Sequence, residues 1–115
     1  MNKKIRVYIA GKITGDDNFL EKFAETEKAL SELGYEVFNP AKLNLIMPTS
    51  ATHEEYMNMC YAMLEMSDEV YFLEDWQKSV GATMEHSYCI RHCKDRYYQD
   101  VNDVIKLSQQ LGSDK

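Results

Sequence analysis

Short apolar runs alternate with helix-length segments along this chain, and that alternation constrains its fold more than any single motif. Lys4-Ile5-Arg6-Val7-Tyr8-Ile9-Ala10, Tyr35-Glu36-Val37-Phe38 and Asp68–Leu73 read as strands. Ile5, Val7 and Ile9 share one side of the first; Arg6, Tyr8 and Ala10 share the other. Between them, Phe19, Phe23, Thr26, Leu30 and Leu33 recur at spacings of four and three, the face of an amphipathic helix that Gly34 stops. Asn18 with Glu21 three residues on resembles a capping box at its start. A second helix is expected from Thr52 or His53, with Thr52 and Glu55 as its capping box and a stripe through Tyr56, Cys60, Met63 and Ser67, with Met57 and Leu64 beside it. A third is expected from near Gly81 to about Cys93. Arg96–Gln99 reads as a short fourth strand, and Val101, Val104, Ile105 and Leu111 as a closing helix.

Such a chain forms an α/β fold with a parallel sheet and helices on both faces, joined by right-handed crossovers. At 115 residues with 44% hydrophobic content it has the size of one domain, spanning residues 1–115. Ligands in such folds bind outside the carboxyl ends of the strands. That rule gathers Tyr8–Gly15, the loop after Phe38, and Glu74–Glu85.

Composition narrows the function classes. A net charge of −6 argues against sequence-independent binding of DNA or RNA, which needs a basic face, but leaves a small nucleotide open as ligand. No apolar run of about 18 residues offers a membrane span. The N-terminus carries no signal-peptide pattern, and three cysteines suit a reducing compartment better than a disulfide framework, so a cytoplasmic location is expected.

Glu85 leads the candidates for chemistry. Its neighbours one turn away, Gly81, Ala82, Tyr88 and Cys89, include no base, so no helix ion pair explains it. It is either solvated near a helix start or aimed into a pocket. Asp75 is a second acid nearby, as glycosidic cleavage requires; Asp68 reads as the cap of its strand. Trp76 is the single tryptophan, either a platform for a nucleobase or a lid on the core. Tyr8 could hydrogen-bond a catalytic carboxylate or be a buried tyrosine with a backbone partner. The loop Gly11-Lys12-Ile13-Thr14-Gly15 before a helix suggests a weak phosphate cradle. Neither GxGxxG nor GxxxxGK is present, so no dinucleotide or P-loop cofactor site is supported. His86, Cys89, His92 and Cys93 lie on one helix without a CxxC, and no metal site is expected. The methionines Met57, Met59, Met63 and Met66 suit a core or a subunit interface.

Val7–Gly15, Gly34–Pro40, Ser67–Leu73 and Trp76–Glu85, in that order, resemble a set of small uncharacterised proteins allied to the nucleoside 2-deoxyribosyltransferases and the deoxynucleoside monophosphate N-glycosidases. The resemblance spans most of residues 4 to 93. It implies a flavodoxin-like (Rossmann-like) sheet of four to five strands, and a homo-oligomer, a dimer or larger, whose neighbours complete each site. It implies a nucleoside or nucleotide as the small-molecule partner and no cofactor. Glu85 matches the nucleophile that attacks C1′ of a deoxyribose, and Tyr8 the tyrosine that orients it. Ser79 matches a contact to the 5′ end of the sugar or its phosphate, and Gly11–Gly15 the loop around the ligand. Gly81 falls in the same segment. Two positions depart from the pattern. Cys60 stands where those enzymes carry an Asp, and Thr14 where the monophosphate-specific ones carry an Arg. The resemblance implies cleavage or exchange of an N-glycosidic bond. In that reading Asp75 or a neighbouring subunit supplies the missing acid. Cys60 motivates the alternative, a non-catalytic nucleotide binder on the same frame. A purely structural oligomer is the weaker third reading.

Overall fold

The computed structural model describes residues 4–99. The expected closing helix lies outside that range. Strand β1 (Arg6–Ala10) is followed by helix α1 (Phe19–Glu32), strand β2 (Glu36–Phe38) and a short helix α2 (Leu43–Ile46). Helix α3 (His53–Met66), strand β3 (Glu69–Phe72), helix α4 (Val80–Arg91) and strand β4 (Asp95–Tyr98) complete the order. The four strands form one parallel sheet in the order β2-β1-β3-β4. Tyr8 pairs with Val70 and Phe38, and Phe72 with Ala10 and Tyr98.

The alternation along β1 sorts the two faces. Val7 and Ile9 pack with Phe23 and Leu30 of α1, together with Tyr71, Leu73 and Tyr97. Tyr8 and Ala10 pack with Cys60 and Leu64 of α3, Cys89 of α4, and Val70 and Phe72. Both faces are covered, so β3 is buried along its whole length, as parallel strands in such a sheet are.

Local signals mostly act as the sequence implies. Thr52 and Glu55 exchange both bonds of a capping box at the start of α3. Gly34 ends α1 at φ +99°, a conformation that costs glycine little. Asp68 accepts from the backbone N–H of Arg6 at 2.9 Å, tying the entry of β3 to β1. At the start of α1 the outcome differs. Asn18 is not extended (φ −108°, ψ 18°) and its side chain makes no capping bond. The turn through Gly15, at φ +80°, instead delivers Asp16, whose carboxylate accepts from Asn18 N–H at 2.8 Å. The aperiodic stretch after Asn39 holds a 3-10 turn, Pro40–Lys42, and α2. On α3 the buried line runs through Met57, Cys60 and Leu64, with Tyr56 and Met63 at its margin. Helix α4 stops at Arg91, where Cys93 turns left-handed at φ 54°.

Candidate active site

The order of winding reverses between β1 and β3: one crossover leads outward to β2, the next returns to the other side of β1. Loops on either side of that reversal diverge and leave a crevice outside the carboxyl ends of the strands. A cavity of about 800 Å³ occupies this position, a size suited to a small-molecule ligand. Its walls come from Tyr8 and the loop after β1, from the segment after β2, from α3, and from the segment that opens α4.

Glu85 reaches this cavity from the second turn of α4 and is only 4% exposed. Helix α4 begins because Ser79 caps it: Ala82 N–H donates to Ser79 Oγ at 3.0 Å. That bond uses Ser79 only as an acceptor, so its hydroxyl hydrogen is available to a ligand. Gly81, one turn before Glu85, lets α3 approach. A Cβ there would sit 3.2 Å from Met57 Sδ and 3.7 Å from His53 Nε2.

The buried end of the cavity joins Tyr8, Cys60 and Glu85. Tyr8 is fully buried and its phenol donates to Glu85 Oε2. Burial pushes the Glu85 carboxyl up to about 8, while hydrogen bonds from Tyr8 and Cys60 pull in the opposite direction. Burial and the neighbouring Glu85 charge push the Cys60 thiol up to about 12. Burial, then Glu85 and Cys60, hold Tyr8 well above the ordinary phenol range. Tyr56, whose phenol donates to the Pro40 carbonyl at 2.9 Å, is raised as well, by burial first and Cys60 second. The site therefore keeps one carboxyl group among proton-holding neighbours.

The structure brings together on the cavity wall Tyr8, Gly11, Lys12, Ile13, Thr14, Cys60, Ser79, Gly81 and Glu85. Gly15, Asp75 and Trp76 lie outside that wall. Asp75 instead fastens the ligand loop: Lys12 N–H donates to its Oδ1 at 3.0 Å, and Lys22 pairs with its other oxygen. Trp76 stacks on His86 with ring centroids 4.2 Å apart, beside Phe72 and Tyr98, and His86 Nε2 lies 2.7 Å from the Tyr98 hydroxyl. Cys89 is buried in the core, His92 packs on Tyr88, and Cys93 is exposed. Each of these groups has its own surroundings.

Among the contributors that escaped the sequence reading are Lys22 and His53. Lys22 of α1 donates to the Lys12 carbonyl at 3.1 Å and pairs with Asp16 and Asp75, so it clasps the loops after β1 and β3. Burial alone would lower its pKa, but the two carboxylates outweigh that and raise it. Lys22 resembles any polar residue on an amphipathic helix, and no local pattern marks it. His53 lines the cavity from the first turn of α3; its place beside a capping box hid it.

Over residues 5–95 the chain matches a family described as "Domain of unknown function (DUF4406)". The chain belongs to this family. Comparison with curated proteins gives no match. Among solved structures, this member of DUF4406 is similar to a 2-deoxyribosyltransferase from the psychrotolerant bacterium Bacillus psychrosaccharolyticus, with a TM-score of 0.66 and 15% identity. The match covers 87% of this chain and 78% of that one. The likeness extends the sequence resemblance to the fold: the sheet is that of the 2-deoxyribosyltransferase, flavodoxin-like and four-stranded among the described residues. Among those residues no helix is long and apolar enough to cross a membrane.

Proposed function

We propose that this protein cleaves or exchanges the N-glycosidic bond of a deoxynucleoside or its monophosphate, through a covalent glycosyl-Glu85 intermediate. The observation that carries this reading is a buried carboxyl held by a buried phenol, Glu85 by Tyr8, on the wall of a ligand-sized cavity at the strand-order reversal. A structural ion pair would hold such a group against a base, whereas Glu85 is shaped by burial, Tyr8 and Cys60. The fold shared with a 2-deoxyribosyltransferase supports the same chemistry.

In this reading Tyr8 fixes the carboxylate plane through Oε2, and Oε1 attacks C1′. The C1′–N bond breaks, the base leaves, and the sugar remains as an ester of Glu85. Water then completes hydrolysis, or a second base completes transfer. Ser79 and the first turn of α4 suit the 5′ end of the sugar. Asp75, fastened to Lys12 and Lys22, acts on the ligand loop; as a leaving-group acid it would first have to be released. Val80, Met84 and Ile90 on α4 and Met59 and Met66 on α3 are exposed, which supports a homo-oligomer.

Incubation with a panel of deoxynucleosides and their monophosphates, for the parent and Glu85→Ala, tests the proposal. Release of free base by the parent alone is expected. A parent that releases no base from any natural or modified substrate would sink it. Cys60 beside Glu85 favours a second reading, a nucleotide binder without turnover. Saturable binding with no product, and gain of glycosidase activity in Cys60→Asp, would establish that one.

A further inference from the structure

Breaking an N-glycosidic bond ordinarily takes two groups, one at C1′ and one that protonates the departing base. Among the described residues of the cavity wall a carboxyl group for the first role is present and a second carboxyl is not. Glu85 is the sole carboxyl group among the described lining residues. The groups buried beside it, Tyr8 and Cys60, are a phenol and a thiol, poor acids toward a heterocycle nitrogen. Tyr56, half-buried beside them, is a further phenol already donating to the Pro40 carbonyl, and the cationic side chains belong to the rim. His53 and Lys78 are exposed, and Lys12 sits half-buried on its loop. His53 enters from the Gly81 side, its Nε2 3.7 Å from where a Gly81 Cβ would stand, and it is exposed rather than buried with Glu85. Glu85 therefore sits at the buried end of the cavity, and among the described residues no strong acid is buried with it.

We propose that the substrate carries a leaving group that departs without taking a proton from the enzyme: a cationic aromatic heterocycle, of the N-glycosyl pyridinium class. This rests on the glycosidase reading above and specifies its substrate. The balance closes without an acid. An oxygen of the Glu85 carboxylate bonds C1′, and the C1′–N bond pair goes to the ring nitrogen. That nitrogen loses its positive charge, so the pyridine leaves neutral. Carboxylate and pyridinium become a neutral ester and a neutral amine. In the second step water bonds C1′, Glu85 departs as carboxylate, and the water proton goes to solvent. The substrate also supplies what the buried carboxyl lacks. A positive charge beside C1′ favours the ionised form of Glu85, which burial disfavours, so binding itself arms the nucleophile.

The test compares 2-deoxyribosides of three leaving groups on one sugar: pyridine-3-carboxamide as the pyridinium, thymine, and hypoxanthine. Each kcat/KM is divided by the uncatalysed rate of the same compound, for the parent, Glu85→Gln and Cys60→Asp. The parent is expected to favour the pyridinium over hypoxanthine by about a hundredfold or more, the usual contribution of a general acid. Glu85→Gln should lose the pyridinium reaction. Cys60→Asp should raise the hypoxanthine rate relative to the pyridinium rate, narrowing the parent's preference. Equal enhancement of hypoxanthine and pyridinium by the parent overturns this inference while the glycosidase reading stands. Cleavage of none of the three overturns both. If circular dichroism shows Cys60→Asp unfolded, the comparison within the parent decides alone.

Discussion

The phenol of Tyr8 donates to Oε2 of Glu85, joining the first strand to helix α4 across 77 positions of sequence. Both groups are withdrawn from water, so their bond is made where the dielectric is low and a misplaced charge is costly. In the proposed reaction the pair would set the reactivity of the site, and its burial bears on the stability of the chain.

In the proposed reaction Glu85 must be ionised to attack, and burial raises its pKa to about 8 in the free protein. Activity as kcat/KM is therefore expected to rise with pH and level off above about 8. A profile flat from pH 6 to 9 would show that Glu85 does not act as a carboxylate nucleophile.

The same shift couples stability to pH. The folded-state pKa lies above the ordinary value of 4.5, so the folded state binds more protons than the unfolded one between those values. Stability should fall as pH rises from about 4.5 to 8, by on the order of a few kcal/mol, and level off above. Glu85→Gln keeps an acceptor for Tyr8 and removes the charge. Its stability relative to the parent should improve from pH 5 to pH 9 while activity drops by roughly 10⁴-fold. Urea unfolding at the two pH values checks the first part; an unchanged difference between the proteins would contradict it.

Removing the phenol hydrogen in Tyr8→Phe leaves the carboxylate with one donor fewer. A hydrogen bond to a charged group is worth about 1.5–3 kcal/mol. Activity should fall roughly ten- to a hundredfold, and the rise in the pH profile should move above 8. A loss of rate with an unmoved profile would assign Tyr8 to packing alone.

Lys22 lies outside the cavity wall yet clasps the loops after β1 and β3. Lys22→Ala frees the Asp75 side of that clasp and should raise KM roughly tenfold, about 1.4 kcal/mol, with a smaller change in kcat. Lys22→Arg should restore most of the affinity. Equal losses in KM and kcat for both variants would point to general unfolding instead.

Gly11 is buried where the ligand loop leaves β1. A Cβ there would stand 2.6 Å from Leu73 Cδ1 and 3.0 Å from Leu73 Cβ. Leu73 is itself buried in the core, so it has little room to yield. Gly11→Ala should cost about 1–3 kcal/mol of stability, read as a lower denaturation midpoint. A midpoint equal to the parent's would show that Leu73 repacks freely.

Much of the frame is written locally. The apolar residues of β1 alternate with period two and sort themselves between α1 on one face and α3 and α4 on the other. The Thr52–Glu55 box marks the start of α3 within four residues of sequence. Asn18 shows the limit of such signals. It has the right neighbours for a cap, yet the backbone turn at Gly15 hands the nearby bond to Asp16.

The sequence by itself determined the alternation of strands and helices, the parallel sheet, and the meeting of the segments after β1, β2 and β3 at one edge, because side-chain period and crossover handedness are local rules. It also singled out Glu85 as an acid without a basic neighbour. The tertiary structure decided between the alternatives left open for Glu85 and Tyr8, placing Glu85 inward with the Tyr8 phenol on it and Cys60 beside them, and it alone assigned Asp75 to the loop and Trp76 to an aromatic stack. Those outcomes depend on burial and on contacts tens of residues apart, which no local spacing encodes.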